Sequence, residues 1–175
     1  MNAKPNQLNM LIEVPNLITN QPLFYNCGHD YEDAFYNLRF DPNSEEYCGF
    51  VAIAPKDLLA GSDVTLKLLW CGWETNATGS AKVVVWGFKT NHAYYPAVLG
   101  SATTHSELSG SIPDGEARLT LHLDTIGVIT ALQPGEHISA ELRRKAAESA
   151  DTWDSDAVTL PILIMEYIST LLKKV

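Results

Sequence analysis

From Phe35 onward, hydrophobic positions recur at every second residue. Val64, Leu66, Leu68 and Trp70 alternate with Thr65, Lys67, Leu69 and Cys71, and Leu119, Leu121 and Leu123 alternate with Arg118, Thr120 and His122. Ile138, Ala140 and Leu142 alternate with His137, Ser139, Glu141 and Arg143. A period of two places successive side chains on opposite faces of a strand, one face in a core and the other toward water or a partner. Val83–Phe88 and Ile162–Met165 are apolar throughout, so these strands are expected to be covered on both sides. Turn chemistry separates the runs: Asp41-Pro42-Asn43-Ser44, Ala60-Gly61-Ser62-Asp63, Asn76-Ala77-Thr78-Gly79, Pro113-Asp114-Gly115 and Gln133-Pro134-Gly135. The spacing predicts eight strands, over 35–40, 47–54, 63–73, 80–89, 102–109, 117–124, 136–144 and 158–169. No 3.6-residue stripe longer than two turns is present, which leaves room only for short helical turns near 31–35, 55–59 and 149–153. Eight antiparallel strands with long connections predict an all-β sandwich of the jelly-roll type.

Residues 1–28 follow a different rule. Asn recurs at 2, 6, 9, 16, 20 and 26 and Pro at 5, 15 and 22, so neither helix nor central strand is expected. Yet Leu8, Met10, Leu11, Ile12, Val14, Leu17 and Ile18 keep the stretch apolar, where a disordered tail is polar and charged. The reading is an extended N-terminal arm (1–28) ahead of a β-sandwich domain (29–175). The arm lies either on another surface or on its own domain, and a short strand at Met10–Val14 suits both.

Composition narrows the partners. Twelve basic against 21 acidic residues give a net charge of −9, which suits neither a phosphate backbone nor an anionic membrane surface. No apolar run reaches the roughly 18 residues of a membrane span. Three cysteines without C-x-x-C spacing, and no signal-peptide layout, point to synthesis in a reducing cytoplasm.

Catalytic spacing is sparse. His29-Asp30-Tyr31-Glu32-Asp33 gathers oxygen ligands, but it matches no calcium loop and reads as a solvated turn. Pro134-Gly135-Glu136-His137 is similar to the second half-motif of the cupins, whose first half-motif, an earlier His-x-His, is absent. His137 therefore reads as an exposed strand start. There is no Gly-x-Ser-x-Gly elbow, phosphate loop or His-Glu-x-x-His, and no cofactor is implied. Cys71 reads as a small buried hydrophobe, and Asn76-Ala77-Thr78, a formal glycosylation sequon, as a surface loop. Trp70, Trp73, Trp86, Tyr94 and Tyr95 are expected chiefly as core or interface anchors; Trp73, Tyr94 and Tyr95 are the candidates for stacking on a sugar. The C-terminal segment sets Arg143-Arg144 at the end of one strand and Asp151 to Asp156 before the next. An Arg fork suits a carboxylate, so Arg143 or Arg144 is expected to pair with Asp151 or Asp156, within a subunit or across a seam.

The stretch from Gly135-Glu136-His137 through Leu142-Arg143-Arg144 to Asp151-Thr152, Asp156-Ala157 and Ile164-Met165-Glu166-Tyr167 resembles the closing half of a family of tailed-phage virion proteins. Phe50 to Asp57 and Leu66 to Trp70 are similar to its earlier strands, so the resemblance spans roughly residues 47–168. That pattern runs from a P-x-D turn, through a strand ending in Trp, to an R-x-(small)-D-T-x-x-x-D-A hairpin. Ser155 stands where the pattern has Gly, and Pro161 interrupts the last strand. The resemblance implies a trimeric jelly-roll protein on the phage particle. Its expected role is capsid decoration (cement) on the lattice of the major capsid protein, made in the host cytoplasm. Expected lattice or seam contacts are Leu8, Met10, Ile12, Leu17, Ile18, Arg143, Arg144, Asp151 and Asp156. A non-enzymatic structural role leads. Two other classes stay open: a receptor- or carbohydrate-binding module of a tail or head fibre, and a hydrolase whose carboxylates meet only in the fold.

Overall fold

The computed structural model describes residues 6–9, 23–26, 36–94 and 101–170. Eleven strands lie among them: β1 (Asn6–Asn9), β2 (Leu23–Asn26), β3 (Tyr36–Phe40), β4 (Glu46–Ile53), β5 (Ser62–Gly72), β6 (Lys82–Ala93), β7 (Thr103–Thr104), β8 (Leu108–Ile112), β9 (His122–Leu132), β10 (His137–Arg144) and β11 (Ala157–Tyr167). The period of two is realised where it was clearest. In β5, Val64, Leu66, Leu68 and Trp70 all face the core, and in β10, Ile138, Ala140 and Leu142 do. Each fully buried aliphatic side chain on these faces contributes about 1.5–3 kcal/mol.

The strands form two antiparallel sheets. One runs β2-β3-β11-β5-β9 with β1 also on β11; the other runs β4-β10-β6-β7 with β8 also on β6. The chain switches sheets repeatedly: β3 lies in the first, β4 in the second, β5 in the first, β6 to β8 in the second, then β9, β10 and β11 alternate. Because β11 returns between β3 and β5, and β10 between β4 and β6, the two layers interlock as a jelly roll. The predicted strand at 102–109 is split into β7 and β8. Two pieces of the predicted arm are edge strands on the chain's own sheet: β1 pairs with β11, placing Leu8 opposite Met165, and β2 pairs with β3. Met10, Ile12, Leu17, Ile18 and the expected strand at 10–14 lie outside the described residues.

One strand was misplaced by its pattern. The alternation Leu119-Leu121-Leu123 predicted a strand over 117–124, but Leu119 has a left-handed backbone (φ 61°), and Leu121 and Leu123 are exposed. The strand is β9, and its core residues are Ile126, Ile129 and Leu132, three apart. Register shifts against β5 between Leu66 and Lys67 and between Ser62 and Val64 insert extra residues into β9. Each bulge resets the inward face, so a strict period of two cannot find it.

Asn76 corrects the reading of its sequon as a surface loop. Its side chain is fully buried, with Nδ2 donating to the carbonyls of Ser80 (3.0 Å), Ile112 (2.9 Å) and Pro113 (3.1 Å). Its Oδ1 accepts from the Thr78 hydroxyl at 2.8 Å. The asparagine ties two turns together, and satisfied hydrogen bonds are what permit an amide to be buried.

Residues 167–170, at and just after the end of β11, are fastened to the turn after β4. The Ser169 hydroxyl donates to Asp57 Oδ2 (2.6 Å), the Tyr167 hydroxyl to Oδ1 (3.1 Å), and the Thr170 N–H to the Asp57 carbonyl (2.7 Å). The Ser169 bond is the main reason the Asp57 pKa is held below the ordinary value; burial opposes it, and the Tyr167 bond adds to the lowering. A depressed carboxylate stabilises the fold fully above its unfolded pKa of about 3.9, and that contribution is lost as pH falls through the folded value. The melting-temperature gap between wild type and Asp57→Asn is therefore expected to be constant above about pH 5 and to close as acid is added. A gap that persists undiminished to about pH 2.5 refutes this reading.

Candidate functional site

The predicted Arg–Asp clamp is Arg144 with Asp151. Arg144 Nε donates to Oδ2 (3.1 Å) and Nη2 to Oδ1 (2.9 Å), a bidentate fork. The remaining guanidinium hydrogens reach the carbonyls of Phe40 (3.1 Å), Ser155 (2.8 Å) and Trp153 (2.6 Å). Asp151 Oδ2 also accepts the Val85 N–H at 3.0 Å. The two side chains are 0% and 2% exposed. Both are thus enclosed within the subunit, which removes Arg144 and Asp151 from the expected seam contacts.

The clamp holds the 145–153 loop against β6, where the Lys145 N–H donates to Val85 O (2.9 Å) and the Thr152 N–H to Val83 O (2.8 Å). Val85 lies off the core cluster yet is 1% exposed. The second apolar face of Val83–Phe88, expected to be covered, is met here by the chain's own loop.

The other two charged candidates are engaged elsewhere. Asp156 forms an ion pair with Arg39, whose guanidinium lies 4.5 Å above the Trp73 ring. Arg143 pairs with neither Asp: it donates to Glu141 (2.8 Å) and Glu45 (3.4 Å). The hydrogen bond to Glu141 is the main reason its pKa is raised. Of the sugar-stacking candidates, Trp73 and Tyr94 do not come together. Trp73 follows β5 at the end where β10 finishes, with its N–H on Asp156 O (2.9 Å). Tyr94 follows β6 where β10 begins, with its hydroxyl on Pro134 O (2.8 Å). Eight residues of β10 separate them, about 23 Å at strand rise, and Tyr95 lies outside the described residues. Trp70 and Trp86 are core: Trp86 meets Phe40 and Trp70 edge-to-face at 5.2 and 6.0 Å.

Several acid–base groups are likewise tied into structure. Asp124 accepts the Trp70 indole N–H (2.8 Å), Glu116 lies 2.7 Å from His122 Nε2, and Glu136 lies 3.1 Å from His92 Nδ1. His105 Nε2 meets the Thr90 hydroxyl at 2.7 Å, and burial lowers its pKa. No group of three potential metal ligands occurs among the described residues, and the His29–Asp33 cluster lies outside them.

Among the described residues, the outer face of the five-stranded sheet is left uncovered. Cross-strand register gives four rows: Tyr47–Arg143–Gly87, Gly49–Glu141–Lys89, Val51–Ser139–Asn91 and Ile53–His137–Ala93. A charged ribbon crosses it, from Lys89 to Glu141 (3.8 Å), Arg143 and Glu45, with Arg143 6.0 Å above the Tyr47 ring. A shallow groove of about 340 Å³ runs along it, lined by Tyr47, Gly49, Lys89, Asn91, Ser139 and Glu141. Beyond the groove Val51 and Ile53 are 45% and 52% exposed. Sequence reasoning reached the β10 residues of this face, His137, Ser139, Glu141 and Arg143, but not those of β4 and β6. The signal it passed over is Tyr47 to Ile53, seven consecutive residues without a charge.

Fold and face together define a jelly-roll sandwich with a broad, half-apolar sheet surface. No protein-family model matches the sequence, and no curated protein matches it either. Among solved structures, the chain is similar to the CBM22-2 xylan-binding domain of Xyn10C from Paenibacillus barcinonensis: 12% identity, 95% of this chain and 93% of that one, TM-score 0.42. It is also similar to TmCBM61 in complex with beta-1,4-galactotriose: 9% identity, 75% and 70% covered, TM-score 0.30. A chain of infectious bursal disease virus Gt strain matches at 11% identity, over 86% of this chain and 37% of that one, TM-score 0.32. These are distant likenesses, and the jelly roll rests on the strand order itself.

Proposed function

We propose that the chain is a structural protein of a virus particle, a capsid decoration protein of a tailed phage that seats on the major capsid protein lattice as a homotrimer and catalyses no reaction. The observation that carries this reading is the outer face of the five-stranded sheet. Val51 and Ile53 stand exposed beside the ribbon of Lys89, Glu141, Arg143 and Glu45, a surface on which apolar contact supplies affinity and the charges fix register. The engagement of Asp151, Asp156, Asp124, Glu116 and Glu136 in structural bonds supports a non-catalytic role. The sequence resemblance over 47–168 points the same way.

Mass spectrometry of purified virions is expected to find the chain in large fixed copy number, and light scattering to give three chains per particle. Absence from virions overturns the reading. The groove beside Tyr47 favours a second one, a saccharide-binding module of a fibre. It predicts saturable binding on a glycan array that weakens in Tyr47→Ala.

A further inference from the structure

We infer that β4 is an open docking edge, to which an extended segment of the capsid protein adds as a further strand of the five-stranded sheet. This rests on the decoration reading and names its contact. β4 is eight residues long and, among the described residues, pairs only with β10, in continuous register without a bulge. The Ala54 N–H donates to Glu136 O (2.8 Å), which sets the phase of the ladder. Cys48, Phe50 and Ala52 therefore bond to β10, and the N–H and C=O groups of Tyr47, Gly49, Val51 and Ile53 point outward. Sheet edges are ordinarily blunted by charge, Pro, bulges or shortness. On the other sheet, the edge strand β9 carries two bulges and the opposite edge β2 is four residues long, and β7 is two residues long. Tyr47 to Ile53 has none of these protections.

Two further observations give the occupant its chemistry. Gly49 sits in regular strand, where Gly is costly, and an added Cβ would meet only Ala140 O at 3.9 Å. Neither a bulge nor packing calls for Gly here, which leaves the close approach of another backbone. Beside β4 a small apolar crevice, with room for about one water molecule, opens between the sheets, lined by Phe50, Ala52, Leu66, Ile138, Leu163 and Met165 among others. A strand added next to β4 turns alternate side chains toward this crevice and the others toward Val51 and Ile53. Its apolar core is flanked by Glu45, 39% exposed and shared with Arg143, at one end of β4 and by the exposed Lys56 at the other, so the segment carries a basic residue at the first end and an acidic one at the second.

The test is Val51→Pro. It removes an outward N–H and no bond to β10, a position where an edge strand tolerates Pro. The full-length variant is expected to keep its circular dichroism spectrum and to bind empty phage capsids at least tenfold more weakly. Amide exchange of Tyr47, Gly49, Val51 and Ile53 in the wild type is expected to slow on capsid binding. If the folded variant decorates capsids as well as wild type, or those amides stay fast in the bound protein, the edge proposal is wrong and decoration stands. If wild type binds no capsid, both fall. Paired assembly of free protein abolished by Val51→Pro would instead make a second copy the occupant. Glycan binding blocked by Gly49→Leu but not by Val51→Pro would make it a saccharide; either result overturns the proposal.

Discussion

Replacing Arg144 with alanine is expected to cost about 3–5 kcal/mol of stability, the penalty for breaking a buried ion pair by removing one partner. The variant strands the Asp151 carboxylate, 2% exposed, and leaves the carbonyls of Phe40, Ser155 and Trp153 without this donor. For that reason a double replacement, Arg144→Met with Asp151→Leu, is expected to recover little. Removing both charges still leaves those carbonyls and the Val85 N–H unanswered. Arg143→Ala is the control. Its contacts to Glu141 and Glu45 are half-exposed, and pairs of that kind contribute about 0–1 kcal/mol. Urea unfolding of the three variants against wild type reads the difference. A loss under about 1 kcal/mol for Arg144→Ala would show that the clamp is not what holds the 145–153 loop on β6.

The legible parts of this fold are those where one local rule governs. The alternations at Val64–Trp70 and Ile138–Leu142 located β5 and β10 to within two residues, because those core faces are regular and buried. The Arg–Asp clamp was legible as a chemistry but not as a pair. A basic doublet and several acids offer multiple pairings, and only the inward turn of Arg144, even-numbered like Leu142 and Ala140, selects it. β9 was illegible because bulges reset its period. The open edge of β4 was illegible for another reason: whether a strand is central or peripheral depends on what pairs beside it. Tyr47 to Ile53 reads the same in either place. Its missing charge becomes informative only once the strand order leaves it outermost.

Gly110→Ala is expected to destabilise the protein by about 3 kcal/mol, the upper end of what overpacking a core costs. Gly110 lies in β8 opposite Val84, with its missing side chain directed at the buried indole of Trp70. A Cβ there would sit 2.7 Å from Cη2 and 2.9 Å from Cε2 of that ring, and closer still to Cζ2. The ring has little freedom to yield. Its Nε1 is held by Asp124 at 2.8 Å, His122 stacks on it at 4.6 Å, and Trp86 meets it from the other sheet. β8 must therefore move away from the core, or Trp70 must abandon its hydrogen bond. Trp70→Phe frees the space, so the double variant is expected to lose less than the sum of the two singles, by at least about 1 kcal/mol. Additivity would mean that the two residues do not meet. Gly49→Ala supplies the contrast, since its Cβ would make only an ordinary contact with Ala140 O at 3.9 Å and replaces a costly strand Gly. A gain of about 0.5 kcal/mol there, beside a large loss at Gly110, separates a glycine held by the core from one that the fold itself does not require.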